Sequence, residues 1–327
     1  MDSSVSIETI VDCLQQAKLA EREKQWEKAL TIYNRAIEID PNNAEARQAL
    51  GNYFFTQEDY NSALDAYISA VKIDPRIAFS HFRLGRIAEI QNRLDDAAAS
   101  YGYAIHLDPE DSRFYQALGG LQFAQNQFSW AEETYRKSIE LGDRAPFVHF
   151  RLGRIAQQQQ RHDEAIEQFQ AAIALNNKNP AFYIACTGSY LKQKQLASAV
   201  AACERAIALK SDNFRPYQQL GEAKFLQGDL LVAKDNYEKA IKLGSQAPWV
   251  RFKLGRIAHK QNELKAAASW YEKAIALNNK NPHFHYHLGN VQAQQLNLEQ
   301  ARASYEKALS LNPNHENAHK SLQALLS

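Results

Sequence analysis

The sequence predicts an all-α protein of tandem helical hairpins, because small residues recur along it at one fixed spacing. Alanine stands at nine positions, each 34 residues after the last: Ala29, Ala63, Ala97, Ala131, Ala165, Ala199, Ala233, Ala267 and Ala301. Glycine stands twelve residues before seven of these alanines, at Gly51, Gly85, Gly119, Gly153, Gly221, Gly255 and Gly289. Two small residues in each 34-residue period indicate two close contacts between helices.

Each period is predicted to be one hairpin. Within residues 44–77, apolar residues recur at helical spacing in two stretches, Leu50, Tyr53 and Phe54, then Ala63, Leu64, Tyr67 and Val71. The polar residues 57–59 separate the two stretches and predict a turn. Because one hairpin cannot bury both of its faces, we expect stability to come from stacking on neighbouring hairpins.

Nine such units follow one another without a linker. We place them at residues 10–43, 44–77, 78–111, 112–145, 146–179, 180–213, 214–247, 248–281 and 282–315. Residues 1–9 are expected to form an N-terminal tail, and residues 316–327 a capping helix with a polar outer side. The unbroken spacing predicts one elongated domain, although a chain of 327 residues would ordinarily suggest two or three globular domains.

Further series complete the period. An aromatic residue follows most of the ladder alanines by four, at Tyr33, Tyr67, Tyr101, Tyr135, Phe169, Tyr237, Tyr271 and Tyr305. Leucine precedes most of the ladder glycines, and proline closes several units, at Pro41, Pro75, Pro109 and Pro313. The pattern resembles the tetratricopeptide repeat family over roughly residues 10–327. The resemblance implies an α-solenoid wound into a right-handed superhelix, with the first helix of each hairpin lining a concave groove.

Composition and charge narrow the classes of function. The chain carries 38 Lys and Arg against 37 Asp and Glu, a net charge of +1. No apolar run approaches the roughly 20 residues of a membrane span, and residues 1–10 lack the features of a signal peptide. Cys13, Cys186 and Cys203 show no paired metal spacing and fit a reducing compartment. We therefore expect a cytoplasmic protein without a membrane span.

Catalytic and metal-binding signals are weak. His315 to His319 spell the H-E-x-x-H of zinc proteases, but the segment aligns with an ordinary junction between units, and no third ligand follows it. His283 and His287 stand four residues apart, within reach of one metal ion, yet contact with a partner is the simpler account. We predict a non-catalytic protein with no metal site and no cofactor.

The resemblance implies which residues face the groove. When each unit is numbered from its first residue, positions 2, 5, 6 and 9 form one stripe of the first helix, and in tetratricopeptide proteins this stripe faces the groove. In three units the stripe carries two aromatic residues and two cations: Phe79, Phe82, Arg83 and Arg86; Phe147, Phe150, Arg151 and Arg154; Trp249, Phe252, Lys253 and Arg256. We predict that these residues bind a partner.

The predicted groove is basic. Over positions 2, 5, 6, 9, 12 and 13 the units carry twelve Lys or Arg, Arg113 and Arg215 among them, against four Glu, a local charge of +8. Since the whole chain carries only +1, the basic character is confined to the groove. Such a field steers acidic partners inward. We predict that the partner is a protein or peptide segment with acidic and apolar residues.

Glycine interrupts the cations of position 9. From the third unit onward this position is occupied by Arg86, Gly120, Arg154, Gly188, Glu222, Arg256 and Asn290. Glycine inside a helix costs about 1 kcal/mol relative to alanine. We hypothesise that Gly120 and Gly188 leave clefts, flanked by Arg86 and Arg154, where partner side chains insert.

Three alternatives stay open. Identical stretches at residues 172–180 and 274–282 indicate that units were copied in blocks. On the first alternative, the arginines are inherited copies that pair with acidic neighbours, and the aromatic residues pack on the preceding hairpin. Similar arrays precede methyl-, sulfo- or glycosyltransferase domains in long bacterial chains, which would make this chain a targeting module. Cations beside aromatics also suit single-stranded nucleic acid, although a net charge of +1 disfavours it.

The sixth unit departs from the pattern. Cys186 replaces the leucine, Thr187 the glycine and Cys203 the tyrosine. These smaller residues predict a thinner core, two reduced thiols near each other, and the most deformable joint of the array.

Overall fold

The computed structural model describes residues 9–210 and 212–326, and within these ranges the regular elements are all α-helices. The expected N-terminal tail lies outside the described residues, apart from Thr9, and so does Ser327 at the end of the expected capping helix. The chain divides into two compact parts, the N-terminal part of residues 1–151 and the C-terminal part of residues 152–327. None of the described helices is both long enough and apolar enough to cross a membrane.

Consecutive helices pack in pairs within each part. In the N-terminal part they are α1 (Ile10–Arg22), α2 (Trp26–Ile39), α3 (Ala44–Thr56), α4 (Tyr60–Ile73), α5 (Ala78–Ile90), α6 (Leu94–Leu107), α7 (Ser112–Ala124), α8 (Phe128–Glu140) and the first half of α9 (Pro146–Gln158). The C-terminal part contains the rest of α9, then α10 (His162–Leu175), α11 (Pro180–Lys192), α12 (Leu196–Leu209), α13 (Phe214–Gln227), α14 (Leu230–Lys242), α15 (Pro248–Lys260), α16 (Leu264–Leu277), α17 (Pro282–Gln294), α18 (Leu298–Leu311) and α19 (Glu316–Leu326). The all-α class and the tandem pairing of helices are confirmed.

The two helices of a hairpin are joined at one residue in the left-handed backbone region. This residue is Lys24, Glu58, Asn92, Asn126, Gln160, Lys194, Gly228, Asn262 or Leu296. The turn closes the end of the first helix, since the Asp59 N–H donates to the Phe54 carbonyl at 3.0 Å and the Gln25 N–H to the Ala20 carbonyl at 2.8 Å. Fixing the turn in this way sets the direction of the second helix.

Side-chain caps begin several of the first helices. The Asn43 carboxamide oxygen accepts the Ala46 N–H at 2.8 Å, and Asp111 accepts the Arg113 N–H at 3.0 Å. A cap satisfies an N–H group that has no partner inside the helix. The cap on α7 also fixes the position of Asp111 beside the Arg113 guanidinium.

In seven hairpins the ladder glycine packs against the aromatic ring of the second helix. A Cβ on Gly51 would lie only 2.8 Å from the ring of Tyr67, so this position has no room for a side chain. Ala63 is completely buried one turn before Tyr67. The ladder glycines of the other hairpins approach a ring in the same way, at Gly85, Gly119, Gly153, Gly221, Gly255 and Gly289. Packing of this ring therefore explains why glycine and the aromatic residue recur together.

The sixth hairpin has a larger residue at the glycine position of its first helix and a smaller one at the tyrosine position of its second helix. Thr187 occupies the glycine position, and its hydroxyl donates to the Tyr183 carbonyl at 2.8 Å. The Cys203 thiol donates to the Thr187 hydroxyl at 3.7 Å, and the Cys186 thiol contacts Tyr190. All three cysteines of the chain are buried thiols that form no disulfide bond, and burial raises the pKa of Cys186 to about 11 and that of Cys203 to about 12. The added bulk of threonine thus compensates in part for the missing ring.

Candidate functional site

The predicted groove cations at position 6 of three units pack on phenylalanine rings of the preceding hairpin. The pairs, with the distance from the cation to the ring centroid, are Arg83 and Phe55 (4.5 Å), Arg151 and Phe123 (4.4 Å), and Lys253 and Phe225 (4.4 Å). A cation over an aromatic face contributes about 0.5–2 kcal/mol, depending on how far the pair is desolvated. The cations of position 6 therefore stabilise the stacking of hairpins in addition to any contact with a ligand.

Sequence reasoning missed the partners of these cations, Phe55, Phe123 and Phe225. All three stand at position 12 of a unit, one turn beyond the stripe assigned to the groove. A signal was nevertheless present, because phenylalanine at position 12 is always followed by Lys or Arg at position 6 of the next unit. The pairing couples adjacent units and is invisible when each unit is considered alone.

A cavity of about 370 Å³ opens beside Gly120 in the N-terminal part. Helices α5, α7, α8 and α9 supply its walls: Phe82, Arg86, Glu89, Arg113, Gln116, Ala117, Gly120, Tyr135, Phe147, Val148 and Arg151. A Cβ placed on Gly120 would meet nothing nearer than the Tyr135 hydroxyl, at 3.8 Å. The space therefore exists because this helix position carries no side chain. We call it the Gly120 cavity.

The cleft expected at Gly120 is present, but one of its arginines differs from the expectation. Arg86 lines the cavity as predicted, whereas α9 contributes Arg151 and not Arg154. Position 9 of one first helix faces positions 2, 3 and 6 of the next, which here are Phe147, Val148 and Arg151. Arg154 is exposed at position 9, one turn further along α9.

The cleft expected at Gly188 has a different chemistry. A cavity of about 480 Å³ lies there, lined by Gln157, Gln160, His162, Gly188 and Lys192. The Gln157 amide already fills part of the space, since a Cβ on Gly188 would lie 3.0 Å from its nitrogen. This cavity has no arginine in its lining and is polar rather than strongly basic.

The Gly120 cavity carries an excess of positive charge. Its lining holds three arginines against one acid, Glu89, whose carboxylate lies 3.6 Å from Arg86 and accepts from Tyr101 at 2.6 Å. Arg113 is held by Asp111 beside the cavity. Neighbouring Arg83 adds to the cluster: burial, followed by the charges of Arg86 and Arg113, lowers its pKa.

Tyr135 contributes a protonated hydroxyl to the cavity. Burial raises the pKa of this phenol to about 12, against the opposing charge of Arg151. The group is therefore a hydrogen-bond donor at neutral pH. Together with the guanidinium groups it gives the cavity several donors and a positive charge, which suits an oxygen anion.

The aromatic residues of this region differ in exposure. Phe147 is 56% exposed at the cavity and lies edge-on to Phe150, with centroids 6.4 Å apart. Phe79 lies between the guanidinium groups of Arg83 and Arg113, at 4.9 and 5.2 Å.

Phe82 is placed differently from Phe147. It is only 8% exposed and packs on the rings of Tyr101 and Phe114, with centroids 5.9 and 5.2 Å away. It is mainly a core residue, with one edge in the wall of the Gly120 cavity.

A second group of cations lies in the C-terminal part. Lys253, Arg256 and Lys260 of α15 surround the ring of Phe225, at 4.4, 5.1 and 5.6 Å from its centroid. We call these four residues the Phe225 cluster. Lys253 also donates to the Glu222 carboxylate at 2.8 Å. The alternative of internal pairing therefore applies to Lys253, while Arg256 and Lys260 leave the cluster positively charged.

The remaining predicted residues of the C-terminal part are spread over two helices. Trp249 is 38% exposed and lies edge-on to Tyr237, with centroids 5.9 Å apart. Phe252 packs on Phe284 at 4.9 Å, as a partly buried residue. Arg215 is exposed at the start of α13.

The histidines do not form the arrangement that the H-E-x-x-H spelling suggests. Helix α19 begins one residue after His315, whose Nδ1 accepts the Ala318 N–H at 3.2 Å and caps the helix. The His315 Nε2 lies 3.3 Å from Nδ1 of His283, while His319 contacts a backbone carbonyl at 2.8 Å. In the described chain, no group of three or more His, Cys, Asp or Glu is arranged to hold a metal ion.

Comparison with known families identifies the fold. Tetratricopeptide repeat models match residues 48–112, 82–149, 146–179, 214–244 and 283–315, and a model described as a TPR repeat matches residues 22–58 and 255–295. The chain belongs to the tetratricopeptide repeat family, whose members bind peptides and proteins. A search of curated proteins found no match.

Several solved structures share the fold. The TPR protein YrrB, described as having an unusual peptide-binding site, aligns with a TM-score of 0.53 and 16% identity over 55% of this chain and 93% of that one. The C-terminal part of a TPR protein from Cytophaga hutchinsonii aligns with a TM-score of 0.60 and 16% identity over 74% and 99% of the two chains. A chain of the APC/C hetero-tetramer Cut9-Hcn1 aligns with a TM-score of 0.54 and 16% identity, over 97% of this chain and 63% of that one.

Proposed function

We propose that the chain is a non-catalytic interaction scaffold that binds an acidic and apolar segment of a partner protein. The Gly120 cavity carries the proposal, because it brings Arg86, Arg113 and Arg151 together with the exposed ring of Phe147. Arginine and aromatic residues are the groups that most often dominate binding energy at interfaces. The Phe225 cluster and Trp249 offer a similar combination in the C-terminal part.

The internal pairing of some arginines supports recognition rather than opposing it. Arg86 and Arg113 contact Glu89 and Asp111, which hold their guanidinium groups in place. A guanidinium has five N–H donors, so one carboxylate partner leaves others for a ligand. Arginines fixed before binding lose less side-chain entropy on association.

A protein segment fits better than single-stranded nucleic acid. Base stacking uses open aromatic faces, and on Phe55, Phe123 and Phe225 a cation already covers one face of the ring. YrrB, which shares the fold, is described as having a peptide-binding site, which is consistent with a peptide ligand here.

Fluorescence anisotropy with short labelled peptides tests the proposal. The probes are twelve-residue peptides of mixed Glu, Asp, Leu and Phe, each with a counterpart in which Gln and Asn replace the acids. We expect the acidic peptides to bind more tightly than their counterparts and to lose affinity as salt rises. The variant Arg86→Glu should weaken binding at least about tenfold, as expected for reversing a charge in a binding pocket.

A matched control is available on an exposed helix face. Arg302 pairs with Glu306 at 2.8 Å on α18 and belongs neither to the lining of the Gly120 cavity nor to the Phe225 cluster, so Arg302→Glu should leave binding unchanged. Circular dichroism verifies that both variants fold. Equal binding of acidic and neutral peptides, or wild-type affinity in Arg86→Glu, would contradict the proposal.

A further inference from the structure

In five hairpins the hydroxyl of the position-24 tyrosine donates to a side chain of the first helix. The pairs and distances are Tyr33 to Glu21 (2.8 Å), Tyr67 to Asn52 (2.7 Å), Tyr101 to Glu89 (2.6 Å), Tyr237 to Glu222 (2.7 Å) and Tyr305 to Asn290 (2.9 Å). The acceptor stands at position 9 or at position 12 of the unit. These hairpins therefore satisfy the phenol internally, as a largely buried hydroxyl requires.

The fourth hairpin has the tyrosine but not the acceptor. Positions 9 and 12 are Gly120 and Phe123, and neither side chain can accept a hydrogen bond from Tyr135. Among the described residues the Tyr135 hydroxyl has no hydrogen-bond partner, and Tyr135 lines the Gly120 cavity. Tyr271 also lacks a partner, but its hydroxyl is fully enclosed. Tyr135 is thus the donor that a ligand in the cavity could reach.

The seventh hairpin shows what would complete this site. There the Glu222 carboxylate accepts from Tyr237 at 2.7 Å and from Lys253 at 2.8 Å. Lys253 stands at position 6 of the following unit, packed on the position-12 residue Phe225.

The fourth hairpin and the helix after it carry equivalent residues at and beside the Gly120 cavity, but no carboxylate at position 9. Tyr135 corresponds to Tyr237 and Arg151 to Lys253, and Phe123 corresponds to Phe225. The two sites differ at position 9, which is Glu222 in one and Gly120 in the other.

We propose that the partner supplies the missing carboxylate: a glutamate or aspartate side chain of the bound segment enters the Gly120 cavity and accepts from Tyr135 beside Arg151. This inference rests on the proposed function and adds to it the residue type that is recognised and the atom that receives it. An acid is favoured over an amide, because the cavity remains positively charged: its lining has three arginines, of which Arg86 pairs with Glu89 and Arg113 with Asp111. Hydrogen bonds to a charged acceptor are also stronger than those between neutral groups.

Exchanging the position-9 residue tests the proposal with the acidic twelve-residue peptides as probes. Gly120→Glu places a carboxylate in the cavity from within the chain, as in the seventh hairpin, and should abolish binding of the acidic peptide. Gly120→Ala adds only a methyl group 3.8 Å from the Tyr135 hydroxyl and should keep binding within about threefold. Tyr135→Phe should weaken the acidic peptide about tenfold or more and the neutral counterpart much less, as expected for a lost hydrogen bond to a charge.

The outcomes separate this inference from the proposed function. If Arg86→Glu loses binding while Gly120→Glu and Tyr135→Phe bind like the wild type, the inference is overturned and the proposed function stands. If the wild type binds no acidic peptide, or Arg86→Glu binds normally, both are overturned. Should Gly120→Glu fail to fold, Tyr135→Phe decides, because its ring keeps the packing against Gly119.

Discussion

The thiol of Cys203 donates a 3.7 Å hydrogen bond to the hydroxyl of Thr187, at the place where seven other hairpins pack a ring on a glycine. In this hairpin, therefore, threonine replaces the glycine and cysteine replaces the tyrosine together. A tyrosine at 203 would meet the threonine side chain, and a glycine at 187 would leave a gap beside the cysteine.

This coupling predicts the result of a double-mutant cycle. Cys203→Tyr alone should lower the free energy of unfolding by about 1–3 kcal/mol through overpacking. The double variant Thr187→Gly, Cys203→Tyr restores the arrangement of the other hairpins and should recover most of that loss. Urea unfolding followed by circular dichroism measures the four proteins. Additive effects of the two substitutions would show that the pair is independent.

The sixth hairpin remains predicted to be the most deformable joint. At the place where seven other hairpins pack a ring on a glycine, it holds Thr187 and Cys203 instead, so this contact lacks a buried aromatic ring. Hydrogen exchange should be faster in residues 180–213 than in residues 78–111. Equal protection of the two segments would contradict the prediction.

Adjacent glycines are predicted to respond oppositely to alanine. A Cβ on Gly119 would lie 2.8 Å from the Tyr135 ring, so Gly119→Ala should destabilise the protein by about 1–3 kcal/mol. A Cβ on Gly120 has space, and Gly120→Ala should stabilise the helix by about 1 kcal/mol. Thermal unfolding of the two variants gives the signs directly. Destabilisation by Gly120→Ala would mean that the cavity wall is tighter than the structure indicates.

Turn residues offer a second route to stabilisation. Leu296 is 81% exposed with φ at +61°, a conformation that costs a residue with a side chain about 1–2 kcal/mol. Leu296→Asn should raise the unfolding free energy by about 0.5–1 kcal/mol, because asparagine tolerates this region. The corresponding turn of the seventh hairpin has Gly228 with φ at +85°, so Gly228→Val should lower the free energy of unfolding. A lower thermal midpoint in Leu296→Asn would refute this account.

His287 should make the C-terminal part sensitive to acid. Burial, reinforced by the charge of Arg256 and by the nearby histidines His259, His283 and His315, lowers its pKa from 6.5 to about 4. Between these values the unfolded chain binds the proton and the folded one does not, so stability falls as the pH drops from about 6.5 towards 4. The loss between pH 7 and pH 5 should be about 2 kcal/mol.

A substituted protein isolates this contribution. His287→Gln removes the titrating group and should flatten the dependence of urea midpoints on pH in this window. If wild type and His287→Gln lose stability in parallel between pH 7 and pH 5, another group is responsible.

The sequence predicts the hairpins well because packing within a hairpin depends on residues at a fixed separation. The recurrence of glycine and tyrosine sixteen residues apart, as in Gly51 and Tyr67, is the ring contact itself. Contacts between hairpins are harder to predict, because they join different positions of consecutive units. Arg151 lines the Gly120 cavity where Arg154 was expected, and its stacking on Phe123 was missed for the same reason.

The sequence pattern of one helix also does not predict which residues of a single helical turn are buried and which are exposed. Phe82 and Phe147 belong to the same predicted stripe, yet one packs in the core and the other is open to solvent. Their positions in the unit, 5 and 2, differ by less than one helical turn. His315 shows the converse, since a residue that resembles a metal ligand in sequence serves as a helix cap.

In the five hairpins where the position-24 tyrosine has an acceptor, that acceptor is a single residue at position 9 or 12. Exchanging this residue leaves the packing of the ring on the first helix in place. Glutamate and glycine codons can differ by one base, so one point mutation in a duplicated unit opens or closes a charged slot without rebuilding the unit. An array of this kind can therefore evolve a new pattern of specificity one repeat at a time. Gene duplication provides the copies, and under the inference drawn for Gly120 the residue at position 9 decides whether such a copy accepts an acidic side chain.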